Sequence, residues 1–319
     1  MALQISLDIQ QSAFEHDVIE GLSRPKGNRS IPSRYLYDER GCELFEEICG
    51  TPEYYPTRTE IAIMRENAHQ MADLCGPRCR LVELGSGASI KTEMLLDQLQ
   101  DPLVYVPVDI APEYLRPAVE KLKRRYPDLE IEPVCADFSE PFELLNGDDV
   151  GATVVYFPGS TIGNFTPESA VELLANMNRL VRPNGGVLIG MDLKKDVPLL
   201  ESAYNDEEGI TADFTHNLLT RMMRELDADL VPDQFEHLAR YNRSLGRIEI
   251  YLRSLVRQHI QVGETQFELD ADELINTEYS YKYDLAQVQD MAVRAQMAMT
   301  HAWLDPLNWF GIFFFGCRP

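Results

Sequence analysis

An alternation constrains this chain more than any other feature. Five short apolar runs, "RLVEL" (80–84), "LVYVPVD" (103–109), "LEIEPVCAD" (129–137), "ATVVYFP" (152–158) and "GGVLIGMD" (185–192), are separated by segments of helical periodicity. Their length, their Val and Ile content and the amphipathic spacers read as successive βα units feeding a parallel sheet, an α/β fold of the Rossmann-like type. Thr57-Arg58-Thr59-Glu60 reads as a capping box ahead of a helix whose apolar face is Ile61, Met64, Ala68, Met71 and Cys75. Thr166-Pro167 opens a later helix, and Pro183-Asn184-Gly185-Gly186 closes it.

After Leu193 the pattern breaks. Residues 195–285 contain polar helices, including "ADFTHNLLTRMMRELDADL", and two alternating segments, "RIEIYLRSLVRQHIQV" and "TQFELDADE", that read as antiparallel strands. This is an insertion. The helix "DLAQVQDMAVRAQMA" and the final "NWFGIFFFGCR" return to the sheet, the last strand as an antiparallel addition.

In an open α/β sheet, ligands lie beyond the carboxyl ends of the strands, so the residues that end each run carry the chemistry. Glu83-Leu84-Gly85-Ser86-Gly87 ends the first run, Asp109 the second, Asp137-Phe138 the third, and Pro158 to Asn164 follows the fourth. The first turn nearly matches two phosphate-binding loops. Gly85 and Gly87 begin a G-x-G-x-x-G and Gly85, Lys91 and Thr92 fit a G-x-x-x-x-G-K-[ST], but Ile90 replaces the last glycine of both.

A dinucleotide fold uses that glycine to bring a helix N-terminus against a pyrophosphate. S-adenosylmethionine (SAM) has no phosphate, and its amino-acid carboxylate can be met by the N–H groups of a two-glycine turn. Asp109, 22 residues beyond Gly87, stands where an acidic side chain takes both ribose hydroxyls. Asp137 can accept from the adenine amino group while Phe138 covers the ring. Lys91 is a further candidate contact. SAM is therefore favoured over NAD, whose enzymes would also need a hydride-relay motif that is not visible.

Charge and composition agree with a small ligand. Of 319 residues, 29 are basic and 52 acidic, a formal charge of -23 that would repel nucleic acid and anionic membranes. The N-terminal residues show no signal-peptide pattern and no apolar stretch approaches a membrane span, so a cytoplasmic location is expected. Six cysteines include no C-x-x-C pair, and six histidines fall into neither H-x-x-x-H nor H-x-H spacing, so no metal site is expected. The oligomeric state is not readable, and a monomer is the default expectation.

Five strings carry a resemblance: "YLYDERGCELFEEICGTPEYYPTRTE" (35–60), "ELGSGASIKT" (83–92), "PGSTIGNF" (158–165), "SAYNDEEGITADF" (202–214) and "NTEYSYKY" (276–283). Together they resemble the histidine-specific Nα-methyltransferases of ergothioneine biosynthesis, over nearly the whole chain. The resemblance implies a class I SAM-dependent methyltransferase domain (61–194 with 286–319) and a smaller α+β substrate domain (1–60 with 195–285). It implies trimethylation of the α-amine of L-histidine to the betaine hercynine, with S-adenosylhomocysteine (SAH) as by-product.

By motif position, Glu83, Gly85, Ser86, Gly87, Lys91, Asp109, Asp137 and Phe138 would hold SAM. Tyr54, Asn164 and Tyr204 would grip the amino-acid carboxylate and amine, with Tyr37 nearby, and Tyr37 and Asn164 would assist catalysis. Glu278 and Ser280, two residues apart on an extended segment, would hydrogen-bond both imidazole nitrogens. One residue departs from the pattern: Ile250 stands where the histidine-specific members carry a methionine beside the imidazole. Enzymes of the same fold acting on tryptophan or tyrosine are the alternative.

Overall fold

The computed structural model describes residues 2–86, 90–110, 112–140, 142, 144, 151–181 and 184–317, with backbone alone at 2–10 and 112–114. The chain opens with helices α1 (Ala2–Ser23), α2 (Glu39–Gly50) and α3 (Tyr55–Cys75). It then alternates β1 (Arg80–Leu84), α4 (Ile90–Leu96), β2 (Val104–Asp109), α5 (Pro112–Arg125), β3 (Glu130–Ile131), β4 (Val134–Cys135), β5 (Thr153–Phe157), α6 (Pro167–Leu180) and β6 (Gly186–Asp192). Helices α7 (Val197–Ser202) and α8 (Ile210–Leu226) precede β7 (Phe235–Asn242), β8 (Arg247–Ser254), β9 (Gln258–Val262), β10 (Thr265–Leu269) and β11 (Leu274–Tyr281). Helix α9 (Leu285–Arg294), β12 (Met297–Leu304) and β13 (Phe310–Cys317) complete the described chain.

These elements form two units, Tyr55–Lys195 with Tyr281–Pro319 and Met1–Tyr54 with Asp196–Ser280. The first is built on a sheet ordered β12-β13-β6-β5-β1-β2-β3, with β4 also paired to β2. The pairs among β1 to β6 are parallel, and β13 runs antiparallel to both neighbours, as expected for the last strand. Strands β1, β5 and β6 are buried at every position, the signature of a sheet covered on both faces. Ile63, Met64, Met71, Ala72 and Cys75 of α3 pack into this core with Leu81, Tyr105, Val154, Tyr156 and Leu188. The reversed strand contributes Phe310, Ile312 and Phe314.

The second unit holds a three-stranded sheet, β11-β8-β7, and the hairpin β9–β10. Strands β7 and β8 are antiparallel over their full length. Asp38 caps α2 by accepting from the Gly41 N–H, and Asn217 and Arg224 of α8 donate to the same carboxylate, at 2.6 Å each.

Several boundaries differ from those expected. Helix α3 begins at Tyr55, so Thr59 Oγ1 donates to the Tyr55 carbonyl inside the helix and Glu60 is fully buried rather than capping. Its buried face uses Ile63, while Ile61 is only half-buried. The third run splits into β3 and β4, because Pro133 between them has no N–H for the ladder. The segment 247–262 is not one strand: Ser254 Oγ donates to the Val256 carbonyl and turns the chain, so β8 pairs with β7 while β9 pairs with β10. Helix α9 stops at Arg294, and after Gln296, at φ 60°, the chain enters β12, a strand that the helical pattern hides.

Candidate active site

In the sheet unit, Gly85 leaves β1 with φ 69°, a left-handed conformation that favours glycine, and its N–H is held by the Val108 carbonyl at 2.8 Å. A Cβ on Gly85 would lie 3.7 Å from the Phe138 ring, so that aromatic stands beside the turn. Phe138 is braced edge-on by Phe157, with centroids 5.4 Å apart. Ser86 is buried, whereas Gly87 lies outside the described residues. Asp109, half-buried, ends β2. Asp137 Oδ1 accepts from the Ser139 N–H at 2.9 Å and from its hydroxyl, an Asx turn that fixes the carboxylate beside Phe138.

Glu83 and Lys91 are also engaged within the protein. Glu83 is buried, and Thr92 Oγ1 and the Tyr105 hydroxyl donate to it. Burial pushes its carboxyl up to about 7, against the pull of those hydroxyls. Lys91 Nζ donates to Glu60 Oε2 at 2.6 Å. Asn164 ends a 3-10 turn at Thr161–Asn164, half-buried, and that turn follows Ser160, whose φ is 60°. Taken together, a glycine turn, strand-end carboxylates and a flanking aromatic suit a nucleoside with an amino-acid tail, and no phosphate cradle is needed.

The other unit gathers Tyr37, Tyr54, Tyr204, Glu278 and Ser280. Tyr54 meets Tyr204 edge-on at 6.0 Å, and the Tyr204 hydroxyl shares a hydrogen bond of 2.9 Å with Ser280 Oγ. Glu278, Ser280 and Tyr204 are buried. Strand alternation places Glu278 and Ser280 on one side of β11. Burial, and then the charge of Glu278, holds the Tyr37 hydroxyl well above its ordinary range, and burial with Tyr204 does the same to Tyr54. Both remain phenols at neutral pH.

Three neighbours carry no signal of their own in the sequence. Phe45 and Phe214 close an aromatic ring around Tyr37, with centroids 5.7 and 5.3 Å from it. Both lie in strings already quoted, but one aromatic among apolar helix positions does not stand out. His237 Nε2 donates to the Tyr204 carbonyl at 2.9 Å, and its Nδ1 meets Thr215 Oγ1 at 3.0 Å. Burial lowers its pKa, so it stays neutral and fixes the Tyr204 backbone. A lone histidine in an alternating strand reads the same as a surface residue. Glu60, expected as a cap, is instead the buried partner of Lys91.

A family model described as histidine-specific methyltransferase, SAM-dependent, matches residues 14–317. The chain belongs to this family. It is similar to the histidine N-alpha-methyltransferase of Mycolicibacterium smegmatis, with 39% identity over 317 residues, 98% of this chain and 97% of that protein. A protein of the same description from Mycobacterium tuberculosis is 38% identical over 318 residues, with the same coverage. More distantly, L-tryptophan methyltransferase trpM of Psilocybe serbica is 24% identical over 320 residues, 90% of this chain and 88% of that one. As a histidine-specific methyltransferase, the chain is a SAM-dependent enzyme, and its sheet is the Rossmann-like sheet of class I. No helix among the described residues is long and apolar enough to cross a membrane.

Proposed function

We propose that this enzyme trimethylates the α-amino group of L-histidine with SAM, in ergothioneine biosynthesis, and that its two units divide the labour. The sheet unit holds SAM at the ends of β1, β2 and β4, and the other unit holds histidine. The observation that carries the reading is the gathering of Tyr37, Tyr54, Tyr204, Glu278 and Ser280 in one unit from segments distant in sequence. Bound SAM supplies the activated methyl group.

The chain's own residues then bind and orient the two substrates. Asp109 takes the ribose hydroxyls, Asp137 the adenine amino group, and the Gly85-Ser86-Gly87 turn the methionyl carboxylate. Glu278 and Ser280 hold the imidazole, and Tyr54 and Tyr204 hold the carboxylate and amine. The α-amine needs only a modest push, since a free terminal amine titrates near about 8. Tyr37, which stays a phenol, aligns the amine by hydrogen bonding, and water takes the proton that the amine loses. Tyrosine faces accommodate the partly methylated cation.

A second reading, an aromatic amino acid other than histidine, draws on Ile250, buried on β8 where related enzymes carry methionine. Asn276 Nδ2 donates to the carbonyls of both Ile250 and Glu278, at 2.9 and 3.1 Å, so the two strands are tied at this position. An apolar wall discriminates by only about 1–3 kcal/mol, less than an acceptor aimed at a ring N–H. Histidine is therefore favoured. The test is incubation with labelled SAM and each of histidine, tryptophan and tyrosine, followed by mass spectrometry. A trimethylated histidine is expected, and label on tryptophan or tyrosine alone would overturn the assignment.

A further inference from the structure

Glu60 is fully buried, yet its carboxylate faces charge and backbone rather than apolar side chains. Its Oε2 accepts from Lys91 Nζ at 2.6 Å, and both oxygens lie 3.0 Å from the Gly159 nitrogen. The close fit depends on Gly190 in β6, where a Cβ would stand 2.2 Å from Glu60 Oε1. One carboxylate on α3 thus joins the first turn of α4, just after the glycine turn, to the loop that carries Asn164. That loop is pinned a second time, by Asp192 N–H donating to Ser160 Oγ at 2.9 Å.

A carboxylate taken wholly out of water is tolerated only when paired, so the Lys91 ammonium is a structural requirement of Glu60. The converse matters for function. The Lys91 charge is near enough to act on Glu83, at the end of β1 that leads into the turn assigned to the amino-acid part of SAM, and SAM carries a positive sulfonium whereas SAH is neutral. An uncompensated ammonium there would favour the product over the substrate.

We infer that Glu60 is a positioning residue that cancels the charge of Lys91, so that the glycine turn accepts a sulfonium as readily as a thioether. The inference rests on the SAM-binding reading above. Both ligands share the same carboxylate and nucleoside, so the ratio of their affinities isolates the charge at sulfur. A loss of shape alone would weaken both equally.

The experiment is calorimetric titration of the full chain with SAM and with SAH, for the wild type, Glu60→Gln, Lys91→Met and the double variant, each checked by thermal unfolding. Glu60→Gln is expected to shift the affinity ratio about tenfold towards SAH, Lys91→Met to shift it towards SAM, and the double variant to return within about threefold of the wild type. Equal weakening of both ligands in Glu60→Gln, or a double variant that fails to restore the ratio, would overturn the inference. Should either single variant not unfold cooperatively, the other is read against the double variant, which leaves no buried charge unpaired, and an unchanged ratio between those two counts against the inference. A wild type that binds neither ligand would instead overturn the assignment of SAM.

Discussion

The two units bury polar groups in opposite ways. In the sheet unit the strands are covered on both faces, so chemistry is confined to strand ends and the turns beyond them, and the buried carboxylates Glu60 and Asp192 are paired with lysines. In the other unit Asn276, Thr277, Glu278 and Ser280 are buried along the middle of β11, beside tyrosines supplied by a loop and by helix ends. A parallel sheet offers its margin to a ligand, whereas a small antiparallel sheet can offer a face. Charge inside the sheet unit is expected to hold the fold, as Asp38 paired with Arg224 does in the other unit, whereas the Glu278 carboxylate in the middle of β11 is expected to hold the substrate.

The largest effect expected from this contrast is at Asp192, at the end of β6 and fully buried. It accepts from the Tyr55 hydroxyl at 2.7 Å, pairs with Lys282 at 2.8 Å, and pairs with Lys195. Burial raises its pKa, but Lys282 and Lys195 outweigh burial and keep the carboxyl below its ordinary range. Asp192→Asn would leave two buried ammoniums facing a neutral amide. A loss of about 3–5 kcal/mol is expected in urea unfolding, the scale for breaking a buried ion pair. A loss below about 1 kcal/mol would show that water reaches this cluster, and the contrast between the units would weaken.

Glu83 refines the comparison, because hydroxyls rather than ammoniums hold it. Its carboxyl titrates at about 7 in the folded chain and near 4.5 otherwise. Between those values the folded state binds more protons than the unfolded state, so stability falls as pH rises through this window. The whole loss is at most about 3.5 kcal/mol, since one proton contributes about 1.4 kcal/mol over each pH unit of the window. Glu83→Gln removes the titration. The wild type should therefore lose stability relative to this variant between about pH 4.5 and about pH 7, read from urea midpoints. Parallel profiles would mean that Glu83 is ionised throughout.

The same difference governs what the sequence reveals. Short apolar runs ending in Gly or Asp announce β1, β2 and β5 almost residue by residue, because sheet register and strand-end turns are local. Strand β12 escapes a reading of the sequence because "MAMTHAWL" continues a helical period, and only the left-handed Gln296 separates it from α9. Glu60 resembles a cap because its partners, Lys91 and Gly159, are distant in sequence. The tyrosines of the second unit have no local signature at all. They stand out only through strings that resemble a known family, since a buried tyrosine with a satisfied hydroxyl looks the same in a core as in a binding site.

Glu278→Gln carries the smallest expected effect and bears most directly on the contrast. The substitution keeps the shape of the side chain and one acceptor oxygen but removes the charge. A hydrogen bond to a charged group contributes about 1.5–3 kcal/mol, so histidine affinity should fall about tenfold to a hundredfold. SAM affinity should stay within about twofold, because the residues assigned to SAM belong to the other unit. The unfolding midpoint should move little, unlike that of Asp192→Asn. Removing the charge also relieves Tyr37 and Tyr54, whose hydroxyls it helps to raise, so both phenols should titrate lower in the variant. That change is readable by ultraviolet absorbance and independent of substrate. If Glu278→Gln instead lowered stability as much as Asp192→Asn while histidine still bound, its carboxylate would be a fold element like those of the sheet unit, and the proposed division between the units would fail.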